Sequence, residues 1–324
     1  MTDSKRLGQG ISTRIIEKAG IDRNYDINGA DIEKLISLFS ASTIDDYKES
    51  AEALRKYYYL EIVDTLSKAR ILDKPELAMG LLSLHRNERF NEIENLSGII
   101  SLNHDNLFQV ASQEVYKCLN LGFTFDSHHF IVDDNFTAPS IIHLHGAFNW
   151  KNSAPIEVLK LSTRNRENVN EILWIPPTIL KEAKDYPYNK LMGLAFELLT
   201  KRCNILRIIG CSLSQNDWNL ISLIFNAQSY QYQYNDKNCF KIELIIDQET
   251  GENIKENYSY LRNVFPIGYL TDSKRFSDYK DKKHVTHEMH NPFKFWLKTK
   301  AQSHLKRKVF DFSNINDPLK KIIG

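Results

Sequence analysis

The chain has 324 residues, 42% hydrophobic and 26% charged, with a formal net charge of +1. That balance predicts a packed globular core in one large or two modest domains, and it excludes a whole-molecule field that would draw nucleic acid or a membrane. No apolar run approaches the ~20 residues of a bilayer crossing. MTDSKRLGQG has no apolar signal segment, and Cys118, Cys203, Cys211 and Cys239 form no C-x-x-C pair, so unbridged thiols and a cytoplasmic location are expected.

The first motif is LGQGIS, residues 7–12. Gly8 and Gly10 lead into Ser12 and the helical run STRIIEKAG. Backbone N–H groups at such a helix start can cradle a phosphate. Ser12 has an equally good reading as a plain N-cap. From residue 11 to about 95 the chain reads as mainly helical. ADIEKLISLF, YKESAEALRKYYYLEIVDTLSKA and ELAMGLLSLHRNERFNEIENL carry apolar residues three and four apart.

The texture then changes. SGIISLNHD, PSIIHLHG, ILRIIGCSLS and FKIELIIDQ are short, β-branched apolar runs ending in Gly, Ser, Asn or Asp. Helical stretches, notably NKLMGLAFELLTKR and DWNLISLIFNAQ, separate several of them. Continuous apolar strands alternating with helices predict an α/β fold, a Rossmann-like parallel sheet covered by helices on both faces. Ligands of such sheets bind beyond the carboxyl ends of the strands. Polar residues gather there: Asn103 and Asp105, His145 and Gly146, Ser212 after Gly210, and Asp247.

These residue types suit cleavage of a glycosidic bond through a cationic, oxocarbenium-like sugar. A neutral imidazole such as His145 takes a proton near neutral pH. A carboxamide such as Asn103 orients water or a hydroxyl without needing a charge state. Asp105 can accept from a leaving amide. Alternation in a strand would put His143 on the same side as His145, where it reads as a hydrogen-bonded support rather than a base. Asn103 and Asp105 have a second reading as caps of the following helix, Asp217 reads as a helix start, and Ser212 as a turn-closing residue.

In order, ISLNHD, IIHLHG, WIPPTILKE, RIIGCSLSQNDW and IELIID resemble the motifs of the sirtuin fold, specifically the zinc-free, sirtuin-like NAD-hydrolysing proteins of prokaryotic antiphage defence. The resemblance covers residues 97 to 247, and LGQGIS resembles the family's Gly-x-Gly-x-Ser turn. It implies that His145 is the catalytic histidine and Asn103 the asparagine beside the nicotinamide ribose. It places Asp105 at the nicotinamide amide, Ser212 at the phosphate or ribose region and Asp247 near the adenosine. Gly8, Gly10, Ser12, Gly146 and Gly210 complete the implied NAD-binding set, with NAD as substrate and no metal. Two departures turn the resemblance away from peptide deacylation. Residues 147–202 contain no cysteine, so the four-cysteine zinc module is missing, and Leu102 stands where deacylating members have glutamine. Homo-oligomers, and partnership with a HerA-type ATPase or an Argonaute-like protein, are further implications. A nucleotide-sensing or scaffold subunit without hydrolysis is the alternative.

The expected organisation is a catalytic unit over residues 1–270, mainly helical at about 20–95, and a basic extension over 271–324. In the extension, His284, His287 and His290 recur every third residue and read as a solvated helix rather than a metal site. Six Lys or Arg between Lys294 and Lys308 surround Phe295, Trp296 and Leu297. With a net charge near zero, this reads as an assembly or partner surface, touching nucleic acid only indirectly.

Overall fold

The computed structural model describes residues 12–21, 31–68, 75, 78–79, 82, 96–126, 129–132, 139–151, 153, 157–158, 169–176, 186–214, 217–245 and 248–262. The histidine trio, the whole of 271–324, Gly8, Gly10 and Asp247 lie outside these residues.

The helical third is built as its apolar spacing demands. A first helix, α1, covers residues 12–19. Helix α2 (Ile32–Ser40) starts at Asp31, whose extended backbone lets its carboxylate accept the Glu33 N–H at 2.9 Å. Its Ile32, Leu35, Ile36 and Phe39 bury one face. Helix α3 (Asp45–Lys68) has two burial zones. Ala51 and Leu54 join Ile15, Ile16 and Ile36 in a helical core, while Tyr59 and Val63 pack with Phe148, Ile172 and Trp174. The long helix therefore fastens the helical region to the β-containing region. A charged clasp adds to this: the buried Glu61 carboxylate accepts from Arg14 at 2.6 Å and Lys18 at 2.7 Å. Burial alone would raise its pKa, but the two cations overcome that and leave it below the usual carboxylate range.

Two parallel ladders follow. Strand β1 (Gly98–Ser101) pairs with β4 (Ser140–His143), with Ser101 opposite His143. Strand β8 (Ile205–Ile209) pairs with β9 (Lys241–Ile245). Helix α4 (Leu107–Tyr116) leaves the first ladder. Helices α5 (Tyr188–Arg202) and α6 (Trp218–Tyr234) precede and bridge the second, and α7 (Gln248–Asn257) follows it. One apolar cluster spans both ladders, uniting Ile142 and Leu144 with Leu191, Leu199, Ile208, Ile224 and Leu244. Helix α5 lies so close to β1 that a Cβ on Gly98 would stand 2.7 Å from Leu198 Cδ2.

The structure is mixed α/β, and it departs from an all-parallel sheet. Phe123–Asp126 (β2) and His129–Val132 (β3) form an antiparallel hairpin. Strand β5 (Gly146–Lys151) is the centre of an antiparallel sheet, between β6 (Glu157–Val158) and β7 (Ile172–Trp174). The reason is local. Leu144 and His145 form a turn, so the chain leaves the parallel ladder just after His143 and re-pairs with β7. For the same reason strand alternation stops before His145 and does not relate it to His143.

Buried glutamines stitch the second ladder. On α6, Gln231 donates to the carbonyls of Leu199 (2.9 Å), Thr200 (3.0 Å) and Cys203 (3.0 Å) and accepts the Phe240 N–H at 2.7 Å. One side chain thereby closes the end of α5 and the approach to β9. No helix among the described residues is long and apolar enough to cross a membrane.

Candidate active site at the ends of two parallel strands

Asn103 and His145 each lie two residues beyond the aligned pair Ser101–His143. The two therefore emerge at neighbouring strand ends, on the same edge. The His145 Nδ1 stands 3.3 Å from the Leu102 carbonyl oxygen. A carbonyl only accepts, so the neutral ring carries its proton on Nδ1 and its basic lone pair on Nε2. Asn103 has an exposed side chain on a closely held backbone. Its N–H donates to Ser101 Oγ at 3.2 Å, and its carbonyl accepts from Ser101 Oγ at 3.4 Å and from His143 Nδ1 at 3.1 Å.

Asp105, one residue before the N-cap Asn106, uses Oδ1 to accept the Leu107 N–H at 3.1 Å, an Asx-type turn that leads into α4. Partial burial pushes its carboxyl above the ordinary range, against the pull of backbone N–H groups. His143 is buried and hydrogen-bonded on both nitrogens. Burial lowers its pKa to about 4, although the bond to Asn103 opposes this, so it is neutral at physiological pH. It cannot serve as a base at the strand end.

Gly146 sits at φ +73°, and a Cβ there would lie 2.2 Å from the Leu173 carbonyl oxygen. Its bareness thus serves the approach of β7, where sequence reasoning assigned it to a ligand. The contact is reinforced by the Ile175 N–H, which donates to the His145 carbonyl at 2.8 Å.

Two residues that sequence reasoning missed complete the neighbourhood. His104 donates from Nε2 to the Ile175 carbonyl at 2.8 Å, stacks on Phe148 with centroids 5.2 Å apart, and lies 6.2 Å from the His145 ring. Tyr58, from α3, stacks on Trp174 at 5.9 Å and meets His104 edge-on at 6.4 Å. Burial, with the charges of Glu33 and Asp105 behind it, pushes the Tyr58 phenol up to about 12. The sequence signal was the unread middle residue of Asn-His-Asp; for Tyr58, inside a helical run of three tyrosines, there was none.

The other expected residues divide. Gly210 (φ +64°) and Ser212 are exposed in the turn after β8, which Leu213 anchors with a buried side chain at φ +47°. They form a second strand end, on the other ladder. Asp217 stands at the N-cap position of α6, but its carboxylate makes no capping bond there and accepts from Ser214 Oγ at 3.0 Å. Ser12 lies within α1, whose Ile15 and Ile16 belong to the helical core. Among the described residues no three His, Cys, Asp or Glu side chains gather as a metal cluster, and the cysteines form no disulfide. No family model matches the chain, and no curated protein matches it.

Proposed function

We propose that the chain is a sirtuin-like NAD hydrolase that cleaves the nicotinamide–ribose bond, with both ladders belonging to one Rossmann-like dinucleotide-binding unit. The observation that carries this reading is the placing of Asn103 and His145 at neighbouring ends of parallel strands in register, with the imidazole proton held on Nδ1. In the reaction the C1′–N bond breaks, neutral nicotinamide leaves, and water adds to the cationic ribose carbon. His145 Nε2 takes the proton that the water loses, and the Asn103 carboxamide orients that water. Asp105, with one oxygen on Leu107, offers the other to the departing amide. The products are nicotinamide, ADP-ribose and one proton. Fixed strand ends supply the positioning on which such a barrier reduction depends.

Depletion of NAD in antiphage defence, as a homo-oligomer beside a HerA-type ATPase or Argonaute-like partner, is the role that the motif resemblance favours. The test is nicotinamide release by the purified chain, alone and with its genomic neighbour's product. Release that disappears in His145→Ala and Asn103→Ala, with the circular dichroism spectrum unchanged, supports the reading; full activity in both variants refutes it. Binding of NAD without release would identify a nucleotide-sensing subunit instead.

A further inference from the structure

The core beneath Asn103 holds three uncharged polar side chains where apolar ones would pack. Asn149 on β5, Gln109 on α4 and His143 on β4 are 3%, 2% and 1% exposed. Burying such groups is costly unless they bond to one another, and they do. Asn149 Nδ2 lies 2.8 Å from Gln109 Oε1, Gln109 Nε2 lies 3.1 Å from His143 Nε2, and His143 Nδ1 lies 3.1 Å from the Asn103 carbonyl oxygen.

The chemistry of the last acceptor fixes the direction of the whole chain. The Asn103 carbonyl can only accept, so His143 Nδ1 carries the proton. In a neutral ring Nε2 is then an acceptor, so Gln109 turns its NH₂ toward it and its oxygen toward Asn149, which must donate. Reversing any one amide puts two donors or two acceptors face to face.

We propose that Gln109 and Asn149 are positioning residues for Asn103, acting through His143 as a one-way relay that sets the direction of the Asn103 carboxamide at the strand end. This rests on the reading of that end as the NAD-cleaving site. Helix α4, strand β4 and strand β5 each contribute one member, so the relay registers three separate elements onto one carbonyl. Ser101 Oγ ties the other side of the same residue.

The test compares the full chain with Gln109→Leu and Gln109→Glu. Gln109→Leu leaves His143 Nε2 without its donor. Its kcat for nicotinamide release is expected to fall by about 10- to 100-fold with KM for NAD little changed, since a small misplacement of a reacting group costs that much. Gln109→Glu with its buried carboxyl protonated donates that proton to His143 Nε2 and accepts from Asn149 on its other oxygen, keeping Nδ1–H on the Asn103 carbonyl, and is expected to restore most of kcat. Unchanged kcat in Gln109→Leu, a matching rise in KM, or a loss that Gln109→Glu does not restore overturns the relay. If Gln109→Leu does not fold, Asn149→Ala, which removes only the first donor, takes its place with a smaller loss of kcat expected. A second readout is independent of activity: the ¹⁵N shifts of His143 and the ¹³C shift of the Asn103 carbonyl. One Nδ1–H tautomer, with a carbonyl shift that moves in Gln109→Leu, is expected; a mixture of tautomers, or an unmoved carbonyl, overturns the relay. Absence of nicotinamide release from the wild-type chain sinks the NAD reading alone and leaves the spectra to decide the relay.

Discussion

The two parallel ladders are built alike and finished differently. Where β1 and β4 end, almost every polar group is already committed: Asn103 through its backbone, Asp105 to α4, His104 to Ile175, His145 to Leu102. Where β8 ends, Gly210 and Ser212 stand exposed on a turn. A fully tied end holds a reacting group still; an exposed turn offers backbone and hydroxyl donors to something that arrives. On the proposed reaction, the contrast assigns chemistry to the first ladder and binding to the second, within one continuous apolar core.

Breaking the contrast from the chemical side gives the largest effect. On the proposed reaction, His145→Ala lowers kcat for nicotinamide release by about 10²–10⁴-fold, the usual worth of a general base. Ser212→Ala raises KM by about fivefold, one ordinary hydrogen bond, with kcat nearly kept. Steady-state kinetics on both variants separates the two ladders, and equal losses of kcat would erase the distinction.

Next in size is Gly146→Ala. A positive φ and an impossible approach to the Leu173 carbonyl add to about 2–5 kcal/mol of lost stability. Gly20→Ala, at φ +71° but with nothing within 4 Å, costs only about 1–2 kcal/mol. Urea unfolding of the pair reads the difference.

The tied end also predicts acid sensitivity. His143 has a folded pKa of about 4, below its ordinary value, so unfolded chain binds the proton first as pH falls. Its contribution is fully present above about pH 6.5 and is lost between there and about pH 4, by on the order of 3 kcal/mol. Unfolding free energies at several pH values should show that slope, and His143→Gln should flatten it. A further effect comes from the second ladder's own staple. Gln231→Leu leaves the Phe240 N–H unpaired, which alone costs about 1–3 kcal/mol, read as a lowered Tm with KM for NAD moved before kcat.

Much of this was legible in the sequence. The three-and-four spacing of Ile32, Leu35, Ile36 and Phe39 gave α2, and the β-branched runs at 98–101, 140–143, 205–209 and 241–245 are strands of parallel ladders. The neighbouring ends carrying Asn103 and His145 follow from that pairing. The antiparallel sheet was hidden because β5 is buried from Gly146 to Trp150 and shows no alternation, while its partner β7 has only three residues, the last of which, Trp174, opens the WIPPTILKE motif. Tyr58 and His104 were hidden because stacking between a helix and a strand end, residues apart by tens in sequence, leaves no local period. Asp105 carried two readings in sequence; the Leu107 N–H shows that the turn into α4 uses at least one of its oxygens.

The bare Cα of position 146 has a mechanical meaning. With Leu173 pressed against that carbon and the Ile175 N–H holding the preceding carbonyl, the histidine beside it sits on a bearing. Its ring is held by the Leu102 carbonyl, and its main chain cannot translate without dragging β7 and the Trp174 stack along. Any displacement of the imidazole by an incoming molecule would therefore have to be shared by the whole antiparallel sheet.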